Sequence, residues 1–294
     1  MRILICCLSI GMFVAAMPVR AELPLNIEGI LTDKGKVKLE FVASYSNLES
    51  SKLSVGNEVL VVQTGTTSFV TVPTNVGERT INGDAFVGTA GLRYGLTGRA
   101  EIYTRTNYLY SRQRSIDADG TKDSNSLKRW ASTWGGINYR FKDDNKTPAI
   151  LGFAEVALYE KHTKSRSSFK SAMMGFTTYK AIDPVVLSLT GAYLFSGKRK
   201  DGDFDYKPGN LTLVSPSVAF AVNDRITLTT GVQWVNRMAE RVDKQEQGMR
   251  NTSTDLILGV GYGVSKSNTL NLTLQPNVSG RGGADLRFNW LYTL

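Results

Sequence analysis

After Cys7 the chain contains no cysteine, and its 294 residues include one histidine, His162. A chain without further cysteine has no disulfide, no thiolate metal site and no cysteine nucleophile. His162 stands among lysines and serines, with no aspartate or serine at a spacing that makes a catalytic pair. The sequence therefore reads as a non-enzyme, without cofactor or metal. Proline is sparse, at 8 residues, and beyond the N-terminus no segment approaches the ~20 continuous apolar residues of a transmembrane helix. Acidic residues are outnumbered, 26 against 35 Lys and Arg, which leaves a net charge of +9. No basic helix or aromatic–basic platform goes with that excess, so nucleic acid is excluded as a partner and anionic lipid, solute or polypeptide is left.

The first residues carry an address. Arg2 is a short positive region, and Ile3 to Val14 is an apolar run too short to span a bilayer. Val19-Arg20-Ala21 puts compact residues where a signal peptidase reads, so cleavage is expected after Ala21, with Ala16 the weaker choice. Cys6 and Cys7 fall inside this segment, which argues against a lipoprotein. Losing Arg2 and Arg20 takes the net charge from +9 to +7. The expected organisation is a signal peptide at 1–21, a short periplasmic segment at 22–35 and a barrel domain at 36–294.

What the chain has in quantity is alternation. Period-two segments occur at about 36–47, 82–96, 99–112, 129–142, 148–161, 169–182, 185–197, 209–222, 225–238, 250–264, 268–280 and 284–294. Each exceeds the ~5–6 residues of an ordinary strand and suffices for the ~9–11 that cross a bilayer. The links alternate as well. Leu96 to Arg99, Asp143 to Thr147, Ile182 to Pro184, Val222 to Asp224 and Ser265 to Ser267 are tight. Leu48 to Ile81, Gln113 to Lys128, His162 to Ser168, Gly197 to Gly209 and Ala239 to Met249 are longer, and only Gly280 to Gly283 breaks the order. A soluble sandwich has no reason to sort its links in this way; a transmembrane barrel does. The fold class expected is all-β: a transmembrane antiparallel up-and-down β-barrel of about 12 strands, in the bacterial outer membrane with both termini periplasmic. Outer-membrane lipid and lipopolysaccharide are then partners.

The faces separate. Leu286, Phe288, Trp290, Tyr292 and Leu294 fall on one side of the last strand. That terminal apolar face resembles the signal read by the barrel assembly machinery. On the polar faces stand Arg93, Arg99, Arg105, Arg140, Arg225, Arg237 and Arg287, with Glu40, Glu101, Glu155, Asp255 and Asp285. If these faces point inward, the guanidinium groups either select anions in a wet pore or pair across the lumen and brace its wall.

Two loops draw notice. Val59 to Val76 is uncharged and reads as a hairpin around a glycine turn; counted into the wall it would make fourteen strands. It can extend the wall, plug the lumen or offer a strand to a partner. Asp201-Gly202-Asp203-Phe204-Asp205 mimics the start of a calcium loop, but Thr212 stands where the closing glutamate belongs.

Gly91-Leu92-Arg93-Tyr94-Gly95-Leu96-Thr97 ahead of an Arg-led strand, Asp183-Pro184-Val185, and Pro216-Ser217-Val218 leading to Val222-Asn223-Asp224 together carry a resemblance. They look like a family of small outer-membrane transporters linked to aromatic-compound degradation. The barrel of the pseudomonad functional-amyloid secretion channel is similar too, without the coiled coil that precedes it there. The resemblance implies a transporter and names no cargo; the inward arginines point to a channel for small anionic or polar solutes, and the uncharged stretch makes loop 48–81 a candidate gate or plug. An export conduit for an amyloid-like polypeptide, or a non-conducting anchor with adhesive loops, are the alternatives.

Overall fold

The structure, a computed structural model, describes residues 31–50, 54–55, 59–65, 68–73, 76–77, 81–116, 122–161, 165–247, 249–279 and 282–294. The signal-peptide reading, residues 22–30 and His162 lie outside the described residues. Twelve strands form one closed antiparallel barrel, each paired with its neighbours in chain order. They are β1 (Val37–Ser50), β2 (Ile81–Thr97), β3 (Ala100–Ile116), β4 (Lys122–Lys142), β5 (Ala149–Lys161) and β6 (Ser171–Ile182). There follow β7 (Val185–Ser196), β8 (Leu211–Ala221), β9 (Ile226–Arg237), β10 (Asn251–Ser265), β11 (Asn268–Pro276) and β12 (Gly282–Thr293). β12 closes on β1 with Lys38 opposite Thr293 and Glu49 opposite Gly282. Closure removes every sheet edge, which hydrocarbon requires because it offers no hydrogen bonds to a bare strand.

Alternation makes the wall. In β9, Ile226, Leu228, Val232 and Trp234 turn outward while Thr227, Gln233 and Val235 turn inward and are buried. β-Branched and aromatic side chains suit such a pleated surface. The burial is inverted relative to a soluble protein: on β3, outward Ile102 is 44% exposed and inward Glu101 is 0% exposed. An apolar exterior around the whole barrel is a lipid face.

Aromatic pairs mark its two margins. At the end that carries the termini, Tyr139 meets Phe141 edge-on at 4.9 Å, and Trp290 stacks on Phe41 at 5.5 Å. At the far end, Tyr108 meets Trp130 edge-on at 5.3 Å. The nine-residue climb from Tyr139 to Trp130 spans roughly 23 Å at ~3.3 Å per residue and ~40° tilt, close to the ~25 Å of a barrel's apolar band. The tight turns lie at the terminal end and the long links at the far end.

Several boundaries differ from expectation; β1 runs on to Ser50 and β3 to Ile116. β4 begins at Lys122, seven residues early, because Lys122 to Lys128 stands beyond the far aromatic margin, where no lipid enforces alternation. β11 stops at Pro276, after which Asn277 bridges to Asp255. The uncharged stretch pairs with itself, Val59–Gly65 against Ser68–Pro73, so the wall has twelve strands and not fourteen. The two loops after β7 and β9 jointly form a four-stranded sheet above the rim, from Arg199–Asp201, Phe204–Lys207, Glu240–Val242 and Gln245–Gln247.

Candidate functional site

The lumen has a charged wall and an apolar wall. On the charged side, neighbouring strands raise inward residues to one level, so register decides what meets. Arg93 on β2 donates Nη2–H to Glu40 Oε2 on β1 at 2.7 Å and Nη1–H to Glu101 Oε1 on β3 at 3.1 Å. Asn289 on β12 donates to Glu40 Oε1 at 3.2 Å, and Asn138 on β4 to Glu101 Oε1 at 2.6 Å. The chain of bonds thus runs through five strands. A second knot lies beside it: Arg105 Nη2–H donates to Glu155 Oε1 on β5 at 2.5 Å, and the Tyr103 hydroxyl donates to Glu155 Oε2 at 3.2 Å. Tyr103 lies under the Arg93 guanidinium, 5.7 Å from the ring centre, and joins the two knots. Gly136 makes room for that ring, since a Cβ there would come within 2.5 Å of Tyr103 Cζ.

Buried charges of this kind survive only when paired and hydrogen-bonded, because each ion has lost its water. Arg93, Arg105, Glu40, Glu101 and Glu155 are all buried and each has an opposite charge. Of the two roles open to the arginines, bracing is what this geometry performs.

The segment before β1 enters the lumen at the terminal end. The Thr32 backbone N–H donates to Glu101 Oε2 at 2.6 Å, and Leu31 packs against Ala149, Leu151, Tyr179 and Val186. The backbone is pinned by Gly35 N–H to the Gly95 carbonyl at 2.8 Å and Gly95 N–H to the Lys36 carbonyl at 3.1 Å. Gly95 has no side chain for a reason: any Cβ would collide with the Asp33 carbonyl oxygen.

Opposite the charged wall, β6, β7 and β8 turn no charged side chain inward. Met173, Ala192, Leu194, Leu211 and Leu213 join Trp134, Phe153, Ala157 and Val235 in one buried cluster. Leu31 and its neighbours form a second cluster toward the terminal end. Between the two, the hydroxyls of Thr177 and Thr190 meet at 3.0 Å. Inward side chains that no water reaches mean the mid-lumen is filled.

The remaining sequence candidates scatter. Arg99 is a correction: it sits exposed in the tight turn before β3, paired with Asp143 at 3.0 Å, because the strand begins one residue later. Arg225 likewise lies exposed in a turn, ahead of β9. Arg140 turns inward near the terminal rim and reaches Asp143 at 3.3 Å. Arg237 is half-buried at the far end of β9. Arg287 is buried and donates to Gln275 Oε1 at 3.3 Å, and Asp255 accepts from Asn277 at 2.7 Å. Asp285 is half-buried on β12, opposite Ser46 and Gln275. Leu286, Phe288, Trp290, Tyr292 and Leu294 all face outward at the closing seam. Sequence reasoning misses Tyr103, Asn138, Asn289 and Thr32; the first three stand at inward positions that alternation shows, while Thr32 carries no signal at all.

Beyond the lumen, the uncharged hairpin leaves the barrel between β1 and β2, yet its Val59–Gly65 arm approaches β7 on the opposite wall. The Asp201 to Asp205 stretch is a hairpin in the four-stranded sheet, with Asp201 opposite Phe204. Asp205 pairs with Lys198 at 2.6 Å, and this lysine holds its carboxyl below the ordinary range. Among the described residues no group of histidine and acidic side chains could hold a metal ion.

No protein-family model matches the chain, and no curated protein matches it in sequence. Solved structures do. An outer-membrane channel from Pseudomonas putida F1 is similar over 89% of this chain and 96% of its own, at 10% identity and a TM-score of 0.61. The chain has the fold of an outer-membrane β-barrel. The transport unit of the autotransporter AIDA-I from Escherichia coli is also similar, over 88% of this chain and 90% of that one, at 8% identity and a TM-score of 0.52. At such identities the likeness bears on the fold, and the chemistry must come from the lumen.

Proposed function

We propose that this outer-membrane barrel is a gated channel for small organic solutes that have an apolar body and a polar or anionic head, with both termini in the periplasm. The two-sided lumen carries this reading: an uncharged, apolar wall on β6–β8 faces a wall of fixed charges on β1–β4. A solute of that kind slides its body along the first and turns its head to the second. Short turns at the terminal end and long links at the far end support the orientation. Filled at mid-height by Trp134, Arg105 and Leu213, the conduit suits small solutes better than an exported polypeptide. In this reading two parts serve as gates: the Leu31 to Lys36 segment at the periplasmic mouth, and the hairpin, whose Val59–Gly65 arm approaches β7, at the outer one.

Uptake into liposomes holding the refolded mature barrel tests the reading with two six-carbon monoanions. Hexanoate should enter several-fold faster than gluconate, which has the same charge and no apolar body. Equal rates, or faster gluconate, would overturn the amphipathic track and leave a plain aqueous pore.

A further inference from the structure

The strands are not of equal height. β2 and β3 have 17 residues each and β4 has 21, whereas β6, β7 and β8 have 12, 12 and 11. The extra length of β2–β4 stands beyond the far aromatic margin. On the outer surface of this raised wall, register puts Tyr110 opposite Lys128 and Arg112 opposite Ser126. Lys128 Nζ lies 5.4 Å from the centre of the Tyr110 ring. Trp130, 60% exposed, and Tyr108 lie just beneath.

We propose that this patch, centred on Arg112 and Lys128, binds the phosphate of a glycolipid headgroup in the outer leaflet. Height is the first reason. Trp130 and Tyr110 mark the level where acyl chains give way to headgroups, and both cations stand within one residue pair above that level. Between the two aromatic margins, the outward positions of β3, Ile102, Thr104, Thr106 and Tyr108, carry no charge, so the cations are confined to this level. Availability is the second reason. Among the described residues neither Arg112 nor Lys128 makes a contact ion pair; Asp84 stands opposite Arg112 in register, but its carboxylate is engaged elsewhere. It accepts from the Tyr45 hydroxyl at 2.7 Å and from Asn47 at 2.9 Å, and lies 3.6 Å from Arg114. Three cations, Arg112, Arg114 and Lys128, beside one engaged carboxylate leave an excess of positive charge that favours an anion. A guanidinium fork with an ammonium beside it suits phosphate, and the aromatic shelf suits the sugar and the first methylenes of the lipid. The occupant is therefore a phosphorylated glycolipid of the lipopolysaccharide type. This site rests on the orientation proposed above and not on whether the lumen conducts.

Native mass spectrometry of the detergent-purified mature barrel, titrated with diphosphoryl lipid A, tests it. The wild type should retain the lipid, and Arg112→Glu with Lys128→Glu should weaken retention at least tenfold. Arg241→Glu with Lys244→Glu, an equal charge change in the four-stranded sheet above the rim, should leave it unaltered. Heat-modifiable gel migration shows that each variant is folded, since all four positions are exposed. Equal retention by the Arg112/Lys128 variant, or equal retention of fully dephosphorylated lipid A by the wild type, would overturn the proposal. So would inorganic phosphate displacing the lipid at matched concentration, which would mark a plain anion site. Orientation is read separately, from labelling of an Arg241→Cys variant in whole cells with an impermeant maleimide. The mature chain has no other cysteine, so absent labelling would sink the orientation whatever the lipid result.

Discussion

The β1–β4 wall and the β6–β8 wall line the same lumen and do opposite things with it. The first is tall and inwardly charged, with its ions joined through five strands; the second is short and closes the lumen with leucine, methionine and threonine. Both are filled, but by forces of different reach. The charged wall is held by a few directional bonds, of which those of Arg93 and Arg105 leave an uncompensated ion when broken, with a small cluster of Val42, Val87 and Leu109 beside them. The apolar wall is held by many weak contacts, each of which is lost alone. If the barrel conducts as proposed, it must hold its shape while a solute passes, and it gains from that division. One side is a fixed frame, and the other can be displaced a side chain at a time without stranding a charge.

The largest expected effect is on the frame. Arg93→Ala strips both Glu40 and Glu101 of their cation and should lower stability by about 3–5 kcal/mol. Urea-dependent unfolding from lipid vesicles measures it, and a loss under about 1 kcal/mol would mean that the network does not brace the wall. On the other side, Leu213→Ala should cost about 2 kcal/mol, the low end of the range for a buried leucine, since inward neighbours can lean into the gap. Arg93→Ala should therefore exceed Leu213→Ala; the reverse order would place the frame on the apolar wall.

Gly95→Leu probes the junction of the two walls. Its side chain collides with the Asp33 carbonyl and should push the Leu31 to Lys36 segment out of the mouth. Single-channel conductance should rise if this segment is the narrowest point, and the unfolding midpoint should fall modestly because the Thr32–Glu101 bond and the burial of Leu31 are lost. Unchanged conductance would show that the constriction lies elsewhere, at the filled mid-lumen around Trp134 and Leu213 or at the hairpin.

The fold was legible because lipid punishes a charge at every second position of every strand, so twelve strands wrote their period into the sequence. Where that constraint ends, legibility ends with it. Lys122 to Ser126 is polar on both faces, so no period of two shows there and the sequence reads as a link. The four-stranded sheet above the rim was hidden likewise. In the lumen, alternation shows which residues face inward but not which of them meet. Glu40 and Arg93 are 53 positions apart and come together through the stagger of β1 against β2, and Leu31 and Thr32 reach the lumen with no pattern announcing it. Arg99 and Arg225 were misplaced for a simpler reason: polar parity continues past the end of a strand into its turn.

The smallest effect belongs to the apolar wall's ionic fixture at its terminal end. Asp144, in the turn between β4 and β5, accepts from Lys180 Nζ at 2.8 Å and from the Ala181 N–H at 2.8 Å, and so clasps the end of β6. Burial pushes this carboxyl up, but the bonds from Lys180 and Ala181 outweigh it, and it titrates below the ordinary range. A depressed pKa means that the clasp contributes fully above the unfolded carboxylate's pKa of about 3.9 and is lost as pH falls through the lower folded value. Asp144→Asn should thus be less stable than wild type at pH 6, by under about 1 kcal/mol for a pair that water still reaches. The gap should close as pH falls through the lowered folded pKa of Asp144, below which both chains carry a neutral group at that position. Unfolding midpoints of the two chains, followed from pH 6 downward, measure the difference. A gap that does not change with pH would make the clasp a matter of turn shape, and would leave the terminal end of the apolar wall without any charge that helps to hold it.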